Sequence, residues 1–241
     1  MRERIAFDAH VHTTASGDAT NELGETLGLL QQRFKDGRPV GIAVVDHNII
    51  DPTILHIMEM AMPIVVGEEI TTGAENPNGK KNEIVGLFLR ESIKPGKSMW
   101  ETIYQIKQQG GVVVIPHPYD LWRHGAGEEW SEWIINVCLH EKIPVAVEVF
   151  NARASRGSNQ KALELWEKFK ERGVLGVAGS DAHERGEIGR AHLVMPFFRT
   201  KEEFLQALAE AEIQGKCNGF ATAGHRLINR VLLVMLRMKH K

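Results

Sequence analysis

The sequence predicts an α/β fold on a largely parallel sheet. Seven short runs rich in Val and Ile have the texture of buried strands. Amphipathic helical patterns lie between several of them, and strand–helix alternation implies parallel pairing. Histidines and carboxylates gather where the apolar runs end.

The first run is Ile5–His12. A helical stripe follows at Leu23, Leu27, Leu30 and Phe34. Runs two to four are Val40–His47, Ile64–Glu68 and Glu83–Leu89. Ser98-Met-Trp-Glu101 reads as a capping box, with Ile103 and Ile106 behind it. Val112–His117 and Val145–Asn151 are the fifth and sixth runs. Ala162, Trp166 and Phe169 form another stripe, closed by Gly173 as a C-cap. Leu175–Asp181 is the seventh run. Thr200-Lys-Glu-Glu203 is a second capping box, leading into Phe204 and Leu208. Residues 226–241 read as an amphipathic helix, with Leu227, Val231, Met235 and Met238 on one face, packed on the body of the fold or at a subunit contact. Seven strands suffice to close a barrel or to form an open doubly wound sheet. The 241 residues suit one domain, expected to span 1–241.

Composition narrows the function. Lys plus Arg is 29 and Asp plus Glu is 31, so no basic surplus exists to hold a long polyanion. The two cysteines, Cys138 and Cys217, form no C-x-x-C pair, which argues against a thiolate metal site. The first residues lack an apolar signal core, and Val231–Leu236 is far too short to span a bilayer. A cytoplasmic location without membrane contact is the expectation.

The strand ends carry the chemistry. His10-Val-His12 places two imidazoles on one face of a strand. Asp181-Ala-His183 repeats that spacing, and His47, Glu68, His117, Glu148 and Asn151 end other strands. In parallel α/β proteins such ends converge on one site. Isolated buried charge is heavily penalised, so this many ionisable groups need a common partner. Imidazoles and carboxylates without thiolates suit Zn²⁺, Mn²⁺, Fe or Ni²⁺, and the donor supply exceeds one ion's needs. His56, His140, His192 and His240 lack this convergence and read as surface or core residues. Asp18, in Ser16-Gly-Asp18, sits in a loop that also suits a simple turn.

Together these residues resemble the polymerase-and-histidinol-phosphatase (PHP) family of metal-dependent phosphoesterases. The matching segments are Asp8-Ala-His-Val-His-Thr-Thr-Ala-Ser-Gly-Asp18, Val45-Asp-His-Asn48, Gly67-Glu68, Pro116-His-Pro118 and Gly179-Ser-Asp-Ala-His183. The resemblance implies a distorted TIM-like (β/α)7 barrel. It implies two or three divalent ions (Mn, Zn, Fe or Mg). His10, His12 and Asp181 would hold one metal, and Glu68 would bridge it to a second bound by His117. Asp18, His47 and His183 would hold a third ion or shape the phosphate pocket. Two positions depart from many relatives: Ser-Gly-Asp18 replaces Ser-Asp-Gly, and Glu83 stands where a histidine often precedes the fourth strand. Either Glu83 replaces that histidine or the second metal has fewer protein ligands.

The expected activity is that of a phosphoric ester hydrolase. A metal-held hydroxide attacks a small phosphate ester: a nucleotide, a terminal or cyclic phosphate, histidinol phosphate or a short oligonucleotide end. Glu68 and His183 are the catalytic candidates, His183 as ligand or proton donor. Arg123, Arg153, Arg156 and Arg185 lie in loops after strand ends and suit phosphate recognition, with His225 a further candidate. A metal-dependent amidohydrolase or deaminase is the first alternative. Its two-metal forms commonly bridge the ions through a modified lysine of the fourth strand, and Glu83–Leu89 has no lysine. A non-catalytic metal- or phosphate-binding module is the second.

Overall fold

The computed structural model describes residues 3–57, 62–74 and 81–217. The seven expected runs are strands: β1 (Arg4–Val11), β2 (Val40–Val44), β3 (Ile64–Thr71), β4 (Glu83–Leu87), β5 (Val112–Ile115), β6 (Val145–Asn151) and β7 (Leu175–Gly179). Two more follow, β8 (Ala191–Pro196) and β9 (Glu212–Gly215). The sheet order is β7-β6-β5-β4-β3-β2-β1-β8-β9.

The sheet curls into an α/β barrel that closes between its first and seventh strands. Asp181 N donates to His10 O at 2.7 Å, and His12 N donates to Ala182 O at 3.1 Å. Gly179 makes this approach possible, because a Cβ there would lie 2.2 Å from His10 Cβ.

The parallel pairing expected from strand–helix alternation does not extend to β4. That strand runs antiparallel to both β3 and β5. A parallel return needs a crossover of a dozen or more residues, and the segment between Thr71 and Glu83 is shorter. β8 also runs antiparallel, pairing with β1 and with β9.

Helices α1 (Leu23–Arg33), α2 (Pro52–Ile57), α3 (Met99–Gln108), α4 (Gly127–His140), α5 (Arg156–Phe169) and α6 (Lys201–Ala209) connect the strands. The Ser98–Glu101 capping box is formed, and Thr200 Oγ1 accepts from Glu203 N at 3.2 Å. Gly173 ends the turn after α5 with φ of 91°, a left-handed conformation that favours glycine. No described helix is long and apolar enough to cross a membrane.

Two apolar layers sit on opposite faces of the sheet. Outside, Leu30, Ile103, Ile106, Ile134 and Leu165 of the helices cover Ile42, Val66, Val113 and Val147. Inside, Phe7, Val65, Val85, Val114 and Val177 fill the barrel, with Phe204 of α6 edge-on to Phe7 at 5.7 Å. Strand alternation carries the inner face upward to Glu69 from Val65, to Glu148 from Ala146 and to Asp181 from Val177. The stretch 226–241 lies outside the described residues.

Candidate metal centre

The inner face ends in a buried cluster of imidazoles and carboxylates. β1 needs a local irregularity to contribute. Its pairing register with β2 shifts between Asp8 and Val11. Before the shift the odd-numbered Ile5 and Phe7 face inward, and after it the even-numbered His10 and His12 do. Their Nε2 atoms lie 3.0 Å apart.

Outer partners fix both rings. His10 Nδ1 donates to Glu148 Oε1 at 3.0 Å. His12 Nδ1 lies 3.1 Å from Ser16 Oγ, which donates to Asp46 Oδ1 at 2.8 Å. The imidazole N–H therefore points to the hydroxyl. Both histidines are left with Nε2 facing the cavity, the arrangement that outer carboxylates impose on metal-binding imidazoles.

Glu69, rather than Glu68, enters the cluster from β3. Its Oε1 lies 3.0 Å from His117 Nε2. Its Oε2 lies 3.5 Å from His10 Nε2, 3.3 Å from His12 Nε2 and 3.2 Å from His47 Nδ1. One carboxylate thus spans two sets of imidazoles. Glu68 points to the opposite face, where its Oε2 accepts from Ile93 N at 2.7 Å. The sequence reading of Glu68 as the bridging ligand and a catalytic residue is corrected here. Consecutive strand residues must face opposite ways, and the inward parity of β3 belongs to the odd numbers.

Asp181 closes the other side. Its Oδ1 lies 3.5 Å from His12 Nε2 and 3.5 Å from His183 Nδ1. Its Oδ2 accepts from Arg123 and, at 3.1 Å, from Asn151 Nδ2. Asp18 Oδ2 lies 3.4 Å from His183 Nε2 and 3.8 Å from His47 Nε2, so the displaced aspartate still reaches the imidazoles. Asp181 and His117 hold positive φ values of 53° and 25°. Such conformations are strained for non-glycine residues and cluster at functional sites.

Charge is crowded here. Glu69 is held well below the ordinary carboxylate range: burial opposes ionisation, but His10 and His47 outweigh it. Asp181 is likewise held down by Arg123, His10 and Arg153 against its burial. Burial opposes the charged form of His12 too, yet Asp181 and Glu69 raise it to about 9. Burial, with His12 beside it, lowers His183 to about 4.

The donors fit divalent cations. Three groups bring one ligand atom from each member within 4.8 Å of the others: His12, His47 and His183; His10, Glu69 and His117; and His10, His12 and Asp181. Shared members, His12 and His10, join the three groups into one continuous set of donors. The buried Asp18 Oδ1 and His117 Nδ1 have no hydrogen-bond partner among the described residues.

The predicted phosphate-binding arginines divide. Arg123 and Arg153 reach the cluster, Arg153 through His183 Nδ1 and, at 3.4 Å, Asp181 Oδ1. Arg185 instead pairs with Glu25 of α1 on the surface. Arg156 is exposed at the start of α5. His225 lies outside the described residues. Sequence reasoning missed Glu69, the Ser16–Asp46 support of His12, and Asp8. Asp8 Oδ1 accepts from Ser180 N at 2.8 Å and Oδ2 from Gly189 N at 2.9 Å, binding β1 to the segments flanking Asp181 and His183.

The chain is similar to a family model, to curated proteins and to solved structures. The PHP-associated family model matches residues 156–213, a stretch that contains Asp181 and His183. Uncharacterized protein MJ0417 of Methanocaldococcus jannaschii is 32% identical over 190 residues, covering 78% of this chain and 70% of that protein. Two solved structures share the fold. One is a two-domain protein of Bacteroides vulgatus containing a predicted PHP-like metal-dependent phosphoesterase. Its TM-score is 0.59 at 15% identity, covering 89% of this chain and 66% of that one, so this chain spans just under two thirds of its length. The other is an amidohydrolase of Chromobacterium violaceum, with a TM-score of 0.57 at 16% identity, covering 76% of this chain and 89% of that one.

Proposed function

The chain belongs to the PHP family, and from that premise we propose that it is a metal-dependent phosphoesterase acting on a small phosphate ester. One observation carries the reading: Glu69 spans His117 on one oxygen and His10, His12 and His47 on the other. Bound divalent cations supply water activation near neutral pH and neutralise charge on phosphoryl oxygens.

The chain's own residues do the rest. Glu148 and the Ser16–Asp46 pair keep the Nε2 atoms of His10 and His12 facing inward. Burial keeps His183 neutral at physiological pH, which suits a ligand better than a proton donor. Arg123 and Arg153 place two guanidinium groups at the Asp181 side of the cavity, where planar forks match phosphoryl oxygens. The small-ester reading accords with the near-neutral charge balance of the chain.

The test is a Mn²⁺-supplemented screen of phosphate monoesters, cyclic phosphates, short oligonucleotides and amides, run on chelator-stripped protein. Stripping should abolish phosphate release and Mn²⁺ should restore it. Asp181→Ala should lose both metal retention and turnover. Cleavage of amides with no release from any phosphate ester would overturn the proposal in favour of an amidohydrolase. Metal binding without any turnover would leave a non-catalytic binding module.

A further inference from the structure

One carboxamide joins the donor cluster to the arginines of the cavity. Asn151 is the last residue of β6 and is fully buried. Glu148 lies three residues earlier on that strand, a spacing that ordinarily puts two side chains on opposite faces. The register between β6 and β7 shifts between Glu148 and Phe150, and the extra residue turns Asn151 back toward Glu148. Asn151 Nδ2 donates to Glu148 Oε2 at 2.9 Å and to Asp181 Oδ2 at 3.1 Å.

The other end of the amide faces the arginines. Asn151 Oδ1 accepts from Arg153 N at 2.9 Å, from Ala154 N at 3.1 Å and from Arg123 Nη2 at 3.4 Å. The neighbours fix which end is which, because carboxylates accept and N–H groups donate. No charged side chain does both jobs: a carboxylate has no donor, and a lysine or arginine has no acceptor. The main chain of Asn151 is clamped as well. Asn159 of α5 accepts from Asn151 N through Oδ1 and donates to Asn151 O through Nδ2, both at 3.0 Å. A buried amide needs partners, but any polar groups would satisfy it. Here the partners are Glu148, which orients His10, the donor Asp181, and both arginines that reach the cluster.

We propose that Asn151 is a positioning residue that sets Arg123 and Arg153 against Asp181, so that a phosphoryl group held by the guanidinium groups abuts the donor cluster. This rests on the phosphoesterase reading above and deepens it. Asn151 acts through the arginines and touches neither ester nor cation. Asn159 acts one step further out, by holding the main chain of Asn151.

The experiment is a double-mutant cycle on the full chain, read by calorimetric binding of inorganic phosphate at saturating Mn²⁺. Elemental analysis confirms the Mn²⁺ content of each variant, and thermal melting confirms folding. Asn151→Ala should weaken phosphate binding at least about tenfold in the wild-type background and no more than about threefold in an Arg153→Ala background, as coupled neighbours do. With the best phosphate ester, KM should rise in step and kcat should fall by less. Equal losses of phosphate binding in the two backgrounds overturn the proposal, as does a fall in kcat with KM unchanged. If Asn151→Ala does not fold, Asn159→Ala runs the same cycle, since it keeps the carboxamide and removes its clamp. Its expected loss is about threefold in wild type and none in Arg153→Ala. No loss, or an equal loss in both backgrounds, overturns the proposal there. Mn²⁺-loaded wild type that binds no phosphate and cleaves no ester would sink the phosphoesterase reading and this proposal together. Phosphate binding with equal losses would sink only the role of Asn151.

Discussion

Glu68 and Glu69 are neighbours on one strand, both almost fully buried, and they live in opposite worlds. Glu69 faces four imidazoles, and they hold its carboxyl well below the ordinary range against the cost of burial. Glu68 faces the helix side, among the parity mates Ile64, Val66 and Ile70 of the outer apolar layer. Burial pushes it up to about 7, opposed by the single hydrogen bond from Ile93 N. The same side chain, one residue apart, is a charged spanning group in one place and an acid kept close to neutral in the other. Burial alone does not make a functional carboxylate; the charges that share its cavity do.

The largest expected effect tests that division directly. Glu69→Gln removes the one group that reaches both sets of imidazoles. It should lower kcat/KM for the best phosphate ester by more than about 100-fold, beyond the usual loss from an outer-shell partner. Glu68→Gln should change kcat/KM by no more than roughly fivefold, about 1 kcal/mol of transition-state stabilisation. Steady-state kinetics of the two folded variants on one substrate checks this. Equal losses would erase the distinction between the faces.

A smaller effect sharpens it. Glu148 is buried on the inner face like Glu69, but it touches His10 at Nδ1, away from the cavity. It also accepts from His117 N at 2.7 Å. Glu148→Gln should therefore weaken metal binding by about 10- to 100-fold without abolishing it, as loss of an orienting partner does. Equilibrium dialysis with Mn²⁺ measures this. A loss as complete as that of Glu69→Gln would mean that Glu148 is itself a ligand.

The same contrast explains what could be read from sequence. All seven apolar runs appear as strands because Val and Ile at a pleated, buried surface leave a local signature. Capped helices such as α3 and α6 were legible for a similar reason: the cap and the stripe are both local. α4 was not, since it begins at Gly127 with no side-chain cap to announce it. The direction of β4 is set by loop reach and by its neighbours, neither of which is local. β9, Glu-Ile-Gln-Gly, is largely exposed and shows no apolar pattern. Site residues with a repeated spacing, His10 with His12 and Asp181 with His183, were legible as pairs. Which of two adjacent glutamates faces inward depends on sheet register, and β1 shows that register can shift in mid-strand.

A last effect concerns stability rather than activity, and its sign separates the two glutamates again. Glu68 has a folded-state pKa of about 7, above the ordinary 4.5. Between those values the unfolded chain has released the proton while the folded chain still holds it. Stability therefore falls as pH rises from about 4.5 to about 7, and levels off above. The slope for one such proton is at most about 1.4 kcal/mol per pH unit. Glu69 acts the other way: its depressed pKa contributes stability above the unfolded value, lost as pH falls through the folded value. Urea unfolding of wild type and Glu68→Gln at pH 5, 6, 7 and 8 isolates the first effect. The difference between the two proteins should shift in favour of the variant from pH 5 to pH 7 and then stay constant. Parallel curves over the whole range would mean that Glu68 ionises as freely in the fold as in water, and the outer face of β3 would then be no harsher to charge than the inner one.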